Sequence, residues 1–231
     1  MVDAIVRIKF PQVVTWPQNV VDVVERFHMI AGFPQVIGCV DGTLIKIDAP
    51  TQNEPNYVDR HGNHSLNCMV VCGPDLSFYY VSARWPGSVN DARVLRNSSL
   101  YRRMEEGWRP VPGAVILGDS IYPLKEWLNL DPAVTTFNRF HRSTRRLVEN
   151  AIGVLKEKFP CLNHLHVEPI FTANVFKCCT VLCNLARTEN DNIDLPIVEN
   201  EDLQGGNEEE NEENALNGRE RLNALLHYFR V

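Results

Sequence analysis

The sequence has 231 residues, 44% of them apolar, enough to bury one substantial core and few enough to expect one main domain with an appendage. No apolar run approaches the roughly 18–20 residues of a membrane-spanning helix, so no membrane partner is expected. The opening MVDAIVRIKFP lacks both the basic and the long apolar stretch of a signal peptide. A formal charge of −6 argues against a polyanionic partner, yet eleven acids and no Lys or Arg fall within residues 189–214, and the remainder carries 23 basic against 18 acidic side chains. The body is therefore mildly basic, and the acidic stretch reads as a disordered segment. Of seven cysteines, Cys39, Cys68, Cys72, Cys178, Cys179 and Cys183 sit inside apolar runs. Buried thiols of an intracellular protein fit that pattern better than disulfides, and the spacing lacks the partners of a zinc site.

In chain order, residues 19–31 carry Val20, Val23, Val24 and Phe27 as a helical stripe stopped by Gly32-Phe33-Pro34. Residues 36–49 are β-rich and are followed by a polar loop. SLNCMVVC (65–72) and LSFYYVSARW (76–85) are strands joined by Gly73-Pro74-Asp75, a signal for an antiparallel pair. Residues 90–104 have helical spacing, with Asn90 or Ser88 able to cap them. AVILGDS (114–120) is a short continuous apolar run suited to a strand covered on both faces. VTTFN (134–138) reads as a weaker strand. Residues 143–159 form the clearest helix, with Ser143 as N-cap, a stripe of Leu147, Val148, Ala151, Ile152 and Leu155, and Pro160 at its end. Residues 172–187 are a largely apolar helix, and Leu222, Leu225, Leu226 and Phe229 mark a short amphipathic one. The expected organisation is a helical lead-in (1–35), a main domain (36–188), an acidic segment (189–216) and a C-terminal helix (217–231). The element order describes an α/β mixed sheet with helices on both faces, the arrangement of ribonuclease-H-like folds.

Three acids stand out. Asp41 ends the apolar run of VIGCVDGT, Asp119 ends AVILGDS, and Glu149 flanks the stripe of the clearest helix, four residues before Gly153. A glycine inside a helix costs about 1 kcal/mol relative to Ala, so Gly153 is expected to admit a close contact on the face it shares with Glu149. Neighbouring carboxylates repel unless a cation compensates, and hard oxygen ligands select Mg²⁺ or Mn²⁺. Two such ions can activate a water and stabilise the leaving oxygen of a phosphodiester. Each acid also has a plainer reading: Asp41-Gly42 is a good hairpin turn, Asp119-Ser120 a cap or turn, and Glu149 a surface charge balancing its arginines. The strip FNRFHRSTRRLVENAIGVLKEKF supplies Arg142, Arg145, Arg146 and Lys156 as candidate phosphate contacts, or simply a solvated helix face.

The strings IGCVDGTLIKI, YVDRHGNHSLN, WPGSVNDARVLRNSSL, VILGDSIYPLKEWL and HRSTRRLVENAIGVLKEKFPCL, in this order between about residues 26 and 187, resemble the successive blocks of the PIF/Harbinger transposase family and the Harbinger-derived nucleases. RERLNALLHYF resembles that family's C-terminal helix. The resemblance implies a ribonuclease-H-like DDE domain using divalent metal, with Asp41, Asp119 and Glu149 on the three acidic positions. It also draws in Asp91, from the PGS-x-x-D block, as a further metal ligand, although an acid at a helix N-terminus is also favoured by the helix dipole. The expected activity is metal-dependent endonucleolytic hydrolysis of DNA. The expected partners are DNA and a separate Myb-like DNA-binding protein that aids nuclear entry, and the expected compartments are nucleus and cytoplasm. The alternative is a catalytically silent interaction module bound to such a partner. Leu44, Ile152 and Cys183 depart from the family's usual residues without removing an acid.

Overall fold

The structure, a computed structural model, describes residues 1–119, 121–123, 125–129 and 135–189, with the backbone only at residues 31, 129, 135–145 and 189. The expected C-terminal helix and, past residue 189, the acidic segment lie outside the described residues. A helical lead-in comprises α1 (Val2–Ile8), α2 (Phe10–Val13) and α3 (Val20–Ala31). Asn19 caps α3 by accepting from Asp22 N, and Gly32 closes it in the left-handed region (φ 67°), donating to His28 O at 2.6 Å.

The sheet has the order β3-β2-β1-β4-β5, with β6 also pairing β1. Here β1 is Val36–Ile47, β2 Ser65–Cys72, β3 Phe78–Pro86, β4 Val115–Leu117, β5 Leu128–Asn129 and β6 His164–Leu165. β1-β2 and β2-β3 are antiparallel, whereas β1-β4, β4-β5 and β1-β6 are parallel. All eight residues of β2 are buried, as expected of an interior strand covered on both faces. On one face Cys39, Ile45, Cys68, Val70 and Leu117 pack with α3, with α6 (Thr135–Lys158) through Val148, Ala151 and Leu155, and with α7 (Pro169–Glu189) through Phe176 and Val181. On the other, Ile37, Val40, Met69, Val71 and Ile116 pack with Val94 and Leu95 of α4 (Asp91–Arg96) and Leu100 and Met104 of α5 (Ser99–Glu105). This is the mixed α/β sheet with helices on both faces that the sequence predicts.

Several local expectations are corrected. Asp41-Gly42 is no hairpin turn, because β1 runs unbroken through both residues. Residues 135–138 are helical rather than extended, and Ser143 lies inside α6 rather than capping it. β propensity spans only about 1 kcal/mol, and each residue added to an existing helix gains a hydrogen bond without a new nucleation cost. Residues 90–104 form two helices, since Ser98 accepts from Tyr101 N at 3.0 Å and starts a second one. α7 is long and apolar enough to cross a membrane by length and composition, contrary to the hydropathy reading, but half of that stretch is buried against the sheet and its neighbours. The six cysteines named from apolar runs are buried and Cys161 is exposed, and none of the seven is in a disulfide.

α7 is fastened to the sheet edge by one side chain. Asn184 accepts from Phe78 N at 2.9 Å and donates to Phe78 O at 2.9 Å and to Val13 O at 3.2 Å, while itself buried. Its amide completes the backbone pairing of edge strand β3 as another strand would. Replacing Asn184 by Ala strands buried backbone groups and is expected to lower stability by about 2–4 kcal/mol in urea denaturation; a loss under about 0.5 kcal/mol would contradict this role.

Candidate active site

β1 pairs with β2 over Cys39–Lys46, but its other edge is divided. β4 covers it only as far as Cys39 (opposite Leu117), and β6 resumes at Lys46 (opposite His164). Among the described strands, none covers that edge between Val40 and Ile45. The parallel strand β4 ends where this gap opens, and a crevice beyond the carboxyl ends of strands is the usual binding position in α/β sheets.

Asp41 and Asp119 lie at the start of the gap, each two residues beyond the paired Cys39 and Leu117. Neighbouring strands run about 4.8 Å apart, so the two acids begin close together. Alternation places Cys39 and Leu117 on the α6 face, and Asp41 and Asp119 follow on that side. Both are partly exposed. Asp41 Oδ1 accepts from Gly42 N at 2.8 Å, and Asp119 Oδ1 accepts from Ile121 N at 3.1 Å, so the turn reading of Asp119 is realised as well. An ionised carboxylate offers about four acceptor positions, so one backbone bond leaves each able to ligate.

Glu149 is exposed on α6 beside the buried Val148. Lys156, seven residues on, shares its flank, since seven residues make about two turns. Lys156 Nζ donates to Leu44 O at 3.2 Å, which sets that flank against the open edge of β1. Burial lowers the Lys156 pKa, opposed by the nearby Cys68. Gly153 is exposed with nothing near its absent Cβ, so the close contact expected there does not occur. Of the proposed phosphate contacts, Arg146 is exposed and Lys156 is engaged with β1. Arg142 and Arg145 lie on α6, with side chains outside the described residues.

The close contact occurs at Gly42 instead. A Cβ there would lie 2.2 Å from Asp91 Oδ1. Asp91, at the first turn of α4 and next to the capping Asn90, therefore reaches β1 from the face opposite Asp41. Asn67 of β2 holds it, donating from Nδ2 to Asp91 Oδ1 at 2.7 Å and to Val89 O at 2.8 Å. Sequence reasoning missed Asn67; the available signal was a single amide in an otherwise apolar strand between two turn segments. Asp91 and Asn67 line a cleft of about 570 Å³ with Gly42, Leu44, His61 and Lys156. Arg60, Lys46 and Asp59 are also on its wall, so the cleft beside Asp91 carries charges of both signs.

The structure thus brings Asp41, Asp119 and Glu149 to one face and one gap, and Asp91 to the same strand from behind. It does not draw their oxygens to a point: among the described residues, the group of three potential ligands within 4.8 Å of one another lies elsewhere. An all-oxygen donor set with an exposed Glu149 fits a hard divalent ion. Gly42→Ala is expected to cost about 1–3 kcal/mol by overpacking against Asp91, and Asp91→Ala in the same chain to recover part of it; strictly additive losses in thermal or urea unfolding would refute the contact.

Residues 40–184 match the family described as DDE superfamily endonuclease. The chain is 36% identical over 172 residues to "Putative nuclease HARBI1" of Rattus norvegicus and 34% identical over 172 residues to that of Homo sapiens, in each case 70% of this chain and 49% of the relative. It is 29% identical over 214 residues to "Protein ALP1-like" of Arabidopsis thaliana, 82% of this chain and 52% of that protein. The chain spans about half the length of these curated relatives. No solved structure gives a significant match. The matched segment contains most of β1, the gap and all four acids, and the relatives' names agree with the Harbinger resemblance: the chain belongs to the DDE superfamily endonuclease family.

Proposed function

We propose that this protein is a divalent-metal-dependent endonuclease that hydrolyses DNA phosphodiester bonds. The observation that carries this reading is the placement of Asp41 on β1 and of Asp119 just past the end of the parallel strand β4, each two residues beyond the paired Cys39 and Leu117, with Glu149 on the helix packed over that face. Asp41, Asp119 and Glu149 would hold Mg²⁺ or Mn²⁺, which lowers the pKa of a bound water and offsets charge on the phosphoryl and leaving oxygens. The protein's part is to fix the donors. β1 and β4 set the spacing of the two aspartates, the turn at Asp119 orients one carboxylate, and Glu149 closes the set from α6. Asp91, held by Asn67 against Gly42, braces β1 beside Asp41 or adds a ligand from the far face. Arg60, Lys46 and Lys156 on the wall of the cleft, together with Arg142, Arg145 and Arg146 along α6, would receive the phosphate backbone. The family resemblance extends the proposal to a Myb-like DNA-binding partner and to residence in nucleus and cytoplasm.

Nicking of supercoiled plasmid in Mg²⁺ or Mn²⁺ is expected for the wild type and to fall at least about 100-fold in Asp119→Asn and Asp41→Asn, in keeping with loss of a metal-ion contribution of several kcal/mol. EDTA should abolish it. Equal nicking by wild type and Asp119→Asn removes this site from the reaction. Absence of both nicking and Mg²⁺ binding in the folded wild type would favour the interaction-module reading.

A further inference from the structure

A second cluster with ligand character lies at the far end of β1. β6 runs parallel to β1 with Lys46 opposite His164 and Ile47 opposite Leu165, which brings Asp48 level with His166. Leu165 is buried, so His164 and His166, two residues apart, both project to the outer side. His164 Nε2 lies 3.1 Å from Asp48 Oδ1, and His166 Nδ1 lies 3.0 Å from Oδ1 and 3.2 Å from Oδ2. The two rings are 4.1 Å apart at 31°, and one ligand atom from each of the three residues falls within 4.8 Å of the others.

These separations match ligands sharing one ion. Zinc binds imidazole nitrogen and carboxylate oxygen at about 2.0–2.2 Å, which puts two ligands of one ion roughly 3–3.5 Å apart. Two neutral imidazoles can each donate one N–H to the shared carboxylate, but that leaves its negative charge in place. A single divalent ion neutralises the carboxylate and takes a lone pair from each ring. The donor set is two nitrogens and one carboxylate, which selects zinc-like transition metals over Mg²⁺. The side chains are 45%, 58% and 71% exposed at His164, Asp48 and His166, so an ion can enter, and water completes its shell.

We infer that Asp48, His164 and His166 form a surface site for one transition-metal ion of the Zn²⁺ class, distinct from the carboxylate site. Seven extended residues separate Asp48 from Asp41, about 23 Å along β1. The bound ion ties the end of β1 to β6, a two-residue strand that continues from α6 through a 3₁₀ turn at Pro160–Asn163. It therefore clamps the C-terminal end of the helix that carries Glu149. This inference does not depend on the proposed nuclease activity.

The test is calorimetric titration of Zn²⁺ into the EDTA-stripped full chain carrying Asp119→Asn, which weakens the carboxylate site. The expected result is one ion bound, not displaced by millimolar Mg²⁺, with affinity reduced at least about 10-fold by His164→Gln, by His166→Gln and by Asp48→Asn. Zn²⁺ should raise the melting temperature of the parent and not of His166→Gln, while the two melt alike in EDTA. Binding should weaken in acid, because protons compete with the ion for the ligating nitrogens. Cys161→Ser, which removes the exposed thiol, should change nothing. Unchanged affinity in both histidine variants, or loss of binding in Cys161→Ser instead, overturns the assignment.

Discussion

The divided edge of β1 is the constraint on which the rest of the molecule depends. One twelve-residue strand serves β2 along one side and two short parallel strands, β4 and β6, on the other. Between them the strand exposes backbone groups that need partners, because unpaired polar groups in a packed interior are costly. Lys156 answers one of them at Leu44, and in doing so fixes the rotation of α6 about its axis. The same gap gives a carboxylate at Asp41 room beside a strand that is otherwise buried. A continuous parallel partner would have covered both.

The two faces of the sheet divide the labour around that gap. The α6 side carries Asp41, Asp119 and Glu149 over a core of Cys39, Leu117 and Val148; the α4 side carries Asp91, seated against Gly42. Glycine at position 42 allows an acid on one face to stand next to an acid on the other with only the backbone between them. Asn67 keeps the rear acid in place, so its amide, though distant in sequence, acts as part of the same arrangement. The polar groups nearest the gap are thus fixed by strands and a helix packed on a shared core, and a site on rigid elements is held more closely than one on loops.

Ligand chemistry separates the two ends of β1. Near the gap the donors are carboxylates, hard oxygen ligands of the kind that suit Mg²⁺ or Mn²⁺. Past Ile47 the donors include two imidazoles, which bind softer ions more strongly. Both sets are attached to one strand, yet each depends on a different neighbour, β4 in the first case and β6 in the second.

The sequence by itself determined a good deal. A continuous apolar run marked β4 as an interior strand, because an element covered on both faces has no polar side to show, and β-rich runs marked β1 and β2. The stripe on α6 marked its buried face, and acids terminating apolar runs at Asp41 and Asp119 marked the candidate site. Tertiary structure decided the rest, wherever local signals were balanced. Asp41-Gly42 is as good a turn as it is a strand, and only pairing with β2 through Thr43 and Leu44 made it a strand. Thr135–Asn138 leans towards β, but the helix already formed beyond it absorbed it. The close contact expected at Gly153 arose at Gly42, since which glycine meets a neighbour depends on the packing of a different element. Asn67 with Asp91, and Asp48 with two histidines more than a hundred residues away, became groups only when strand pairing set their register. A residue's chemistry is local, whereas the company it keeps is fixed by long-range pairing.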